Sequence, residues 1–412
     1  MIMITAGAEL DDITVRQIVK RDFPFLHSCH YLDSASVCPC PRPTVEAMTS
    51  FYYEHPLNYG VGDFGKSREV VRKVDEARAT VAGFIGASSH EIAFTKNTTE
   101  AINTVSRGLV WKKGEGIVLT KLEHQSNVIP WLREAKQDDL TVFYLEPGQD
   151  GRVTPDDLEK VMKNHSIRMV AVTHVSNVLG TIQDVSALVK VAKQGGALTL
   201  IDAAQSGGRI PFEVSAIGCD FATFCGRKAL MGPQGTGFLY ARGDWLGKLM
   251  PLTVGSRSGN IVNQLDYQDQ EPPHRFEAGI LNTSGVIGLG ESIKYLMELK
   301  LEEVTQRIRS LARLLVDVLC DIKGVTVHSP RTVEEQAGIV SWNIRGFAPR
   351  VVSDWLDKEA SVAVATGHQG SKLLTQAFST DGVVRTSVHW FNTSDDISAL
   401  AEGLRRFLSS KR

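Results

Sequence analysis

The sequence predicts an α/β fold, with a large, mostly parallel sheet layered by helices and followed by a smaller α+β domain. Between about residues 90 and 240, short β-rich runs alternate with helical stretches. Several of these runs are apolar on both faces, as strands buried between two helical layers should be. After about residue 285 the rhythm changes to long amphipathic helices and shorter strands.

Taken in order, ITVRQIVKRDF near the N-terminus has the apolar spacing of a helix. The strands expected for the large sheet are EIAFT, GIVLTK, LTVFYLE, RMVAVTHVS, ALTLIDAA, FATFCG and GTGFLYAR. Between them fall the helical stretches TEAINTVSRGLV, TPDDLEKVMKNH and DVSALVKVAKQ. The second has a Thr cap ahead of acidic first-turn residues. IGLGESIKYLMELK and LEEVTQRIRSLARLLVDVLCDI read as amphipathic helices, the latter closed by Gly324. GVTVHS, GIVSWNI, VAVATG and VVRTSVHWF read as strands, and DDISALAEGLRRFL as the last helix. The expected division is an N-terminal helix over residues 1–22 packing on the small domain, a large domain over 23–285 and a small one over 286–412. No Gly/Ser or Pro-rich linker separates them, so a tight interface with a cleft is expected.

Composition narrows the function. The chain has 412 residues, 42% hydrophobic and 22% charged, close to globular averages, which argues against a disordered or fibrous protein. Its 45 basic and 47 acidic residues leave a net charge of −2, too little basic field for nucleic acid to be the main partner. The six cysteines (Cys29, Cys38, Cys40, Cys219, Cys225 and Cys320) are too few for a disulfide framework. The opening MIMITAGAELDD turns acidic before a signal-peptide core could form. No stretch approaches the roughly 18 apolar residues of a membrane span. A soluble cytoplasmic enzyme without membrane partners is expected.

The chemistry concentrates in LTLIDAAQSGGRIPFEVSAIGCDFATFCGRKALMGPQGTGFLY. A strand ends at Asp202, Gln205 follows, and a second strand delivers Lys228 into a Gly-rich loop. Strand carboxyl ends are where open α/β sheets bind ligands. A lysine amine and a carboxylate facing one crevice suit pyridoxal phosphate, which needs an amine for its aldehyde and an anion at its ring nitrogen. An ordinary strand-end Asp and a solvated Lys are the plain alternative. In FTKNTTEAIN, Thr98 and Thr99 open a helix, where free N–H groups and hydroxyls make a phosphate cup or simply a cap. KLEHQSNVIPW offers His124, a flat ring able to lie over a cofactor, and HVSNVLG puts Asn177 at a strand end. Arg385 in VVRTSV is the residue type that clamps a carboxylate through two hydrogen bonds, or makes a surface salt bridge.

From about residue 23 onward the chain resembles the class V aminotransferase family of fold-type I pyridoxal-phosphate enzymes. The nearest branch is that of cysteine desulfurases and selenocysteine lyases. YLDSAS, FTKNTTEAIN, LEHQSNVIPW, VTHVSNVLGTI, IDAAQ, GRKALMGPQGTGFLY and RFEAGILNT carry the resemblance. It implies an aspartate-aminotransferase-like fold, an amino-acid substrate and a homodimer with the active site at the subunit interface. Lys228 would bind the cofactor covalently as a Schiff base and shuttle protons. Asp202 would pair with the ring nitrogen and Gln205 with the phenolic oxygen, while His124 would stack on the ring. Thr98, Thr99, Cys225 and Arg227 would hold the phosphate. Asn177 would reach the phenolate or the substrate carboxylate, and Arg385 the carboxylate. Gly279 and Ile280 fall in the segment that reaches the phosphate of the other subunit.

The departures from the family pattern bear on the reaction. The loop that carries a nucleophilic cysteine in desulfurases, TGHHCA-like, reads VATGHQGS here, with Gly370 at the cysteine's place and Ala365 where an arginine commonly stands. The early His-Arg pair reads Gly60-Val61, SGHK reads CGRK, and the GTPN-like turn reads Gly279-Ile280-Leu281-Asn282. Arg227 could compensate for a phosphate contact that Ile280 cannot make. The implied reaction is therefore C–S or C–Se β-elimination from cysteine or a cysteine derivative, without a protein persulfide. Class V transamination or epimerisation on the same scaffold, a desulfurase with another sulfur acceptor, and a silent binding protein are the alternatives. Cys38 or Cys40 is a candidate substitute acceptor. His27, Cys29, His30, Cys38 and Cys40 form a weak zinc pattern, and no metal is expected.

Overall fold

The computed structural model describes residues 10–60, 62–332, 335–379 and 381–411; Val61, and with it half of the Gly60-Val61 departure, lies outside the described residues. A short strand β1 (His30–Tyr31) is followed by the strands of the large sheet. These are β2 (Ile92–Thr95), β3 (Gly116–Thr120), β4 (Thr141–Leu145), β5 (Ile167–Thr173), β6 (Leu198–Asp202), β7 (Phe221–Cys225) and β8 (Gly237–Ala241). All seven stand where the apolar runs predicted them, in the order β2-β8-β7-β6-β5-β3-β4. Only β8 runs antiparallel to its neighbours. Every residue of β3, β6, β7 and β8 is buried, because helices cover both sheet faces.

Beyond the hairpin of β9 (Gly259–Asn263) and β10 (Asp266–Asp269) lies a four-stranded antiparallel sheet. It comprises β11 (Val325–Val327), β12 (Ile339–Ile344), β14 (Ala365–Gly367) and β15 (Val383–Ser387) in the order β11-β12-β15-β14. The run VAVATG divides into β13 (Val362–Ala363), which pairs in parallel with β1, and β14. Residues 30–31 thus join the small-domain side, ahead of the large sheet in sequence.

The helix Thr283–Glu298 does not move to the small domain as a boundary at 286 implies. It packs on the helices Arg42–Glu54 and Gly65–Phe84, with Gly290 lying against Ala77, so it remains part of the large layer. The N-terminal helix Asp12–Asp22 bridges both parts. Arg307 donates to Asp12 and to the Leu10, Trp390 and Asn392 carbonyls, while Asp22 accepts from Tyr295 of the Thr283–Glu298 helix. Buried Arg209 joins the two parts again, donating to the Ala337 and Val388 carbonyls and to Ser34 Oγ. Among the described residues no helix is long and apolar enough to cross a membrane.

Candidate active site

The parallel strands end at a common edge, and there a cavity of about 200 Å³ opens between the large sheet and the small domain. Thr98, Thr99, His124, Asn177, Asp202, Gln205, Cys225, Arg227, Lys228 and Arg385 all line it. Asp202 is the last residue of β6, and Lys228 follows β7 through Gly226 and Arg227. A Cβ on Gly226 would sit 2.1 Å from Thr236 Oγ1, so the turn that presents Lys228 requires glycine.

The electrostatics follow from depth. Burial pushes the Lys228 amine below its ordinary range, and the Arg227 and Arg385 cations act in the same direction. Burial raises the Asp202 carboxyl, which the Lys228 charge and the Ala204 N–H (2.9 Å) oppose. Burial holds His124 at about 4, with Lys228, Arg385 and Arg227 adding to the effect, so the ring is neutral near pH 7. Its Nδ1 accepts from the Ser126 N–H at 3.1 Å, which leaves the ring proton on Nε2.

At the start of the helix Thr98–Gly108, Asn97 caps the Glu100 N–H at 2.9 Å, while the N–H groups of Thr98 and Thr99 have no helical partner. Thr99 Oγ1 donates to Ser126 Oγ at 2.8 Å. On the other side, Arg385 donates to Asp33 Oδ1 (2.8 Å), Ser36 Oγ (2.6 Å) and the Asn177 carbonyl (3.1 Å). Arg227 donates to the Ser36 carbonyl.

The cavity fits pyridoxal phosphate on its own terms. Thr98 Oγ1, Gln205 Oε1, Gln369 Nε2 and Arg385 Nε all line it, are buried and have no hydrogen-bond partner. Buried polar atoms left unmatched call for a polar occupant. The helix start with Thr98 and Thr99 suits the phosphate, Asp202 the ring nitrogen and Lys228 the aldehyde.

One expectation changes. Gly279 and Ile280, expected to serve the other subunit's phosphate, line a separate groove of their own chain with Thr95, Lys96, Ser256 and Asn282. Glu277 forms a buried pair with Arg78 (2.7 Å) and accepts from the Phe94 N–H. Asn177 reaches the cavity, but its amide is already committed. Nδ2 donates to the Gln369 carbonyl (2.8 Å) and Oδ1 accepts from Ser371 Oγ (2.9 Å). Together with the Gln125 N–H on the Gly370 carbonyl (2.7 Å), these bonds hold the loop 369–371 over the cavity.

Gly370 adopts φ +73°, and a Cβ built on it would lie 2.3 Å from His124 Nε2. The alternative thiols are poorly placed. Cys38 and Cys40 do not line the cavity, and burial pushes them up to about 12 and about 11. Cys29 and His30 line a different pocket with Asp395 and Asp396, and among the described residues no group of metal-ligating side chains assembles.

Among the polar lining residues, Ser36, Ser126, Thr173 and Gln369 had no assigned role from sequence. Each lies inside a quoted motif, and the signal available was adjacency to an assigned residue.

The aminotransferase class-V family model matches residues 30–400. A probable cysteine desulfurase of Methanothermobacter thermautotrophicus is 41% identical over 390 residues, covering 94% of this chain and 96% of that protein. A probable cysteine desulfurase of Pyrococcus abyssi is 35% identical, covering 96% and 98%. Among solved structures, the apo cysteine desulfurase of Thermococcus onnurineus NA1 superposes with a TM-score of 0.92 at 34% identity, covering 96% of this chain and 98% of that one.

Proposed function

The chain belongs to the class V aminotransferase family, whose cofactor is pyridoxal 5'-phosphate, and from that premise we propose that it is a lyase. It removes the sulfur or selenium substituent from Cβ of cysteine or a cysteine derivative without passing it through a protein cysteine. The observation that carries this reading is Gly370. The position expected to hold a sulfur-accepting cysteine has a left-handed backbone and no room for a Cβ beside His124. The likeness to cysteine desulfurases supports a second reading, sulfur removal from cysteine by a desulfurase that uses an acceptor outside this loop.

When bound, the cofactor supplies an electron-accepting ring and an aldehyde that captures the substrate amine. Asp202 offers the anion that keeps the ring nitrogen protonated, and its buried position makes that interaction strong. Lys228, its amine held below its ordinary range by burial, takes the proton from substrate Cα. His124, neutral and held through Nδ1, would offer a flat ring face for the cofactor to lie against. Arg385, braced by Asp33 and Ser36, orients the substrate through its carboxylate. The C–S bond then breaks and both electrons leave with the thiolate. Water completes the reaction to pyruvate and ammonia with no change of redox state.

From the same family premise we propose that the protein is a homodimer. Ile261 and Leu265 on the β9–β10 hairpin are 87% and 97% exposed, and Ile280 is also exposed, an apolar surface that a second copy would cover. Six free cysteines suit the reducing cytoplasm.

The test supplies cysteine, cystine and S-substituted cysteines to the holoenzyme and follows pyruvate, thiol or sulfide, and protein mass. Pyruvate formed with no sulfur added to the protein is the expected result. Alanine together with a sulfur-loaded cysteine would establish the desulfurase instead. Amino transfer to a keto acid, or loss of α-chirality alone, would establish an aminotransferase or epimerase.

A further inference from the structure

We infer that Gln369 is a substrate-binding residue: with Arg385 it holds the α-carboxylate of the amino acid, in the role the family resemblance gives to Asn177. This deepens the proposed function and rests on it only so far as the substrate is an amino acid.

Two donors in the cavity wall are buried and unmatched, Arg385 Nε and Gln369 Nε2. The rest of the Arg385 guanidinium is engaged by Asp33, Ser36 and the Asn177 carbonyl. Asn177 cannot turn its amide to the substrate without releasing Gln369 and Ser371, since its Nδ2 and Oδ1 hold those residues. Asn177 is also the common neighbour of both free donors, accepting from Arg385 through its carbonyl and donating to the Gln369 backbone. Gln369 itself takes φ +53°, unusual for a residue with a side chain, and lies beside Gly370, whose carbonyl is pinned by the Gln125 N–H. With its own carbonyl held by Asn177 Nδ2 and that of Gly370 by the Gln125 N–H, this strained backbone fixes where the Gln369 side chain leaves the loop to join the wall. A carboxylate has two oxygens to place against these two N–H groups, and a charge-assisted hydrogen bond is the strong kind.

The probe is L-alanine, which carries the α-carboxylate and no leaving group, set against ethylamine, which lacks the carboxylate. Binding is read from the change in cofactor absorbance of the holoenzyme. Gln369→Leu is expected to weaken alanine about ten- to hundredfold, as loss of a hydrogen bond to a charged group does, while leaving ethylamine unchanged. Gln369→Glu places a like charge there and is expected to weaken alanine further than Leu does. The unfolding midpoint and resting cofactor spectrum report whether each variant is folded and loaded. Equal losses for alanine and ethylamine, a Glu variant that binds alanine as well as wild type, or a changed resting spectrum without amino acid would overturn the assignment. The last would place the carboxamide on the cofactor. Because alanine tests binding alone, failure of the lyase reading leaves this result standing, and the reverse is also true.

Discussion

One wall of the cavity is made by the carboxyl ends of sheet strands, and the other by a loop hung from the small sheet. They differ in how their side chains are held. Asp202, Cys225 and Lys228 sit on or just beyond β6 and β7, whose every residue is buried and laddered to neighbours. Gln369, Gly370 and Ser371 are held instead by three single hydrogen bonds to Asn177 and Gln125. The strand wall carries the lysine and the acid that the cofactor needs, with the CGRK change beside them, whereas the loop wall carries the departure at Gly370. Cofactor chemistry is thus built into the rigid part, and the choice of reaction into a part that a few contacts control.

The largest expected effect falls on the strand wall. Lys228→Ala removes the proton carrier, and turnover of a cysteine derivative should fall by at least about 10³-fold, measured as pyruvate formation. Retention of most activity would mean the loop wall supplies the base, and the division between the walls would fail.

Acid probes the same wall through His174, which continues the turn after β5 and accepts no partner at Nδ1. Burial holds this histidine at about 4, below its ordinary 6.5. The unfolded chain therefore binds a proton that the folded one refuses, and stability falls as pH drops from about 6.5 toward about 4. His174 alone should account for a loss on the order of 2 kcal/mol between about pH 7 and pH 5, beside the contributions of His124 and His389, so His174→Gln should make the slope in chemical denaturation shallower without removing it. A slope unchanged in that variant would assign the acid sensitivity elsewhere, with His124, shifted in the same direction, as the next group to substitute.

Gly370→Cys tests whether the loop wall can be returned to the desulfurase pattern by one residue. The left-handed backbone and the 2.3 Å approach to His124 Nε2 oppose it. We expect a stability loss of about 1–3 kcal/mol in thermal or chemical unfolding, reduced turnover, and no sulfur on the new cysteine by mass. A persulfide at position 370 with full stability would show that the loop rearranges freely, and the contrast between the walls would shrink.

The strand wall was also the more legible in sequence. Its strands are uninterrupted apolar runs, and its side chains sit at fixed offsets from strand ends, so IDAAQ and GRKALMG mark Asp202, Gln205 and Lys228, which line one cavity. The helices Arg42–Glu54, Gly65–Phe84 and Pro349–Ala360 were not read. The first buries only Thr44 and Phe51, and the second interleaves the polar Ser67 and Arg78 with the apolar residues it buries. On the loop wall the residues were named but their partners were not. Ser36 meets Arg385 across 349 positions, and Asn177 meets Ser371 across 194. Periodicity is local, whereas such pairs depend on how two domains close, and so the commitment of Asn177 to the loop and the free donor of Gln369 appear only in three dimensions.

The smallest effect should come from Ser371→Ala. Its hydroxyl donates to Asn177 Oδ1 at 2.9 Å while Asn177 Nδ2 still holds the Gln369 carbonyl, so one of the loop's three bonds is lost and two remain. Ser371 is itself buried, and alanine leaves Asn177 Oδ1 short of a partner in a site that the opening loop can wet. A net cost of about 1 kcal/mol follows, or about a fivefold rise in KM, with kcat little changed because no group on the strand wall moves. Amide exchange at Gly370 should quicken in parallel while the β6 and β7 amides keep their protection. Were kcat to fall as far as KM rises, the loop would be setting the chemistry of Lys228 as well as holding the substrate. The two walls would then be a single unit.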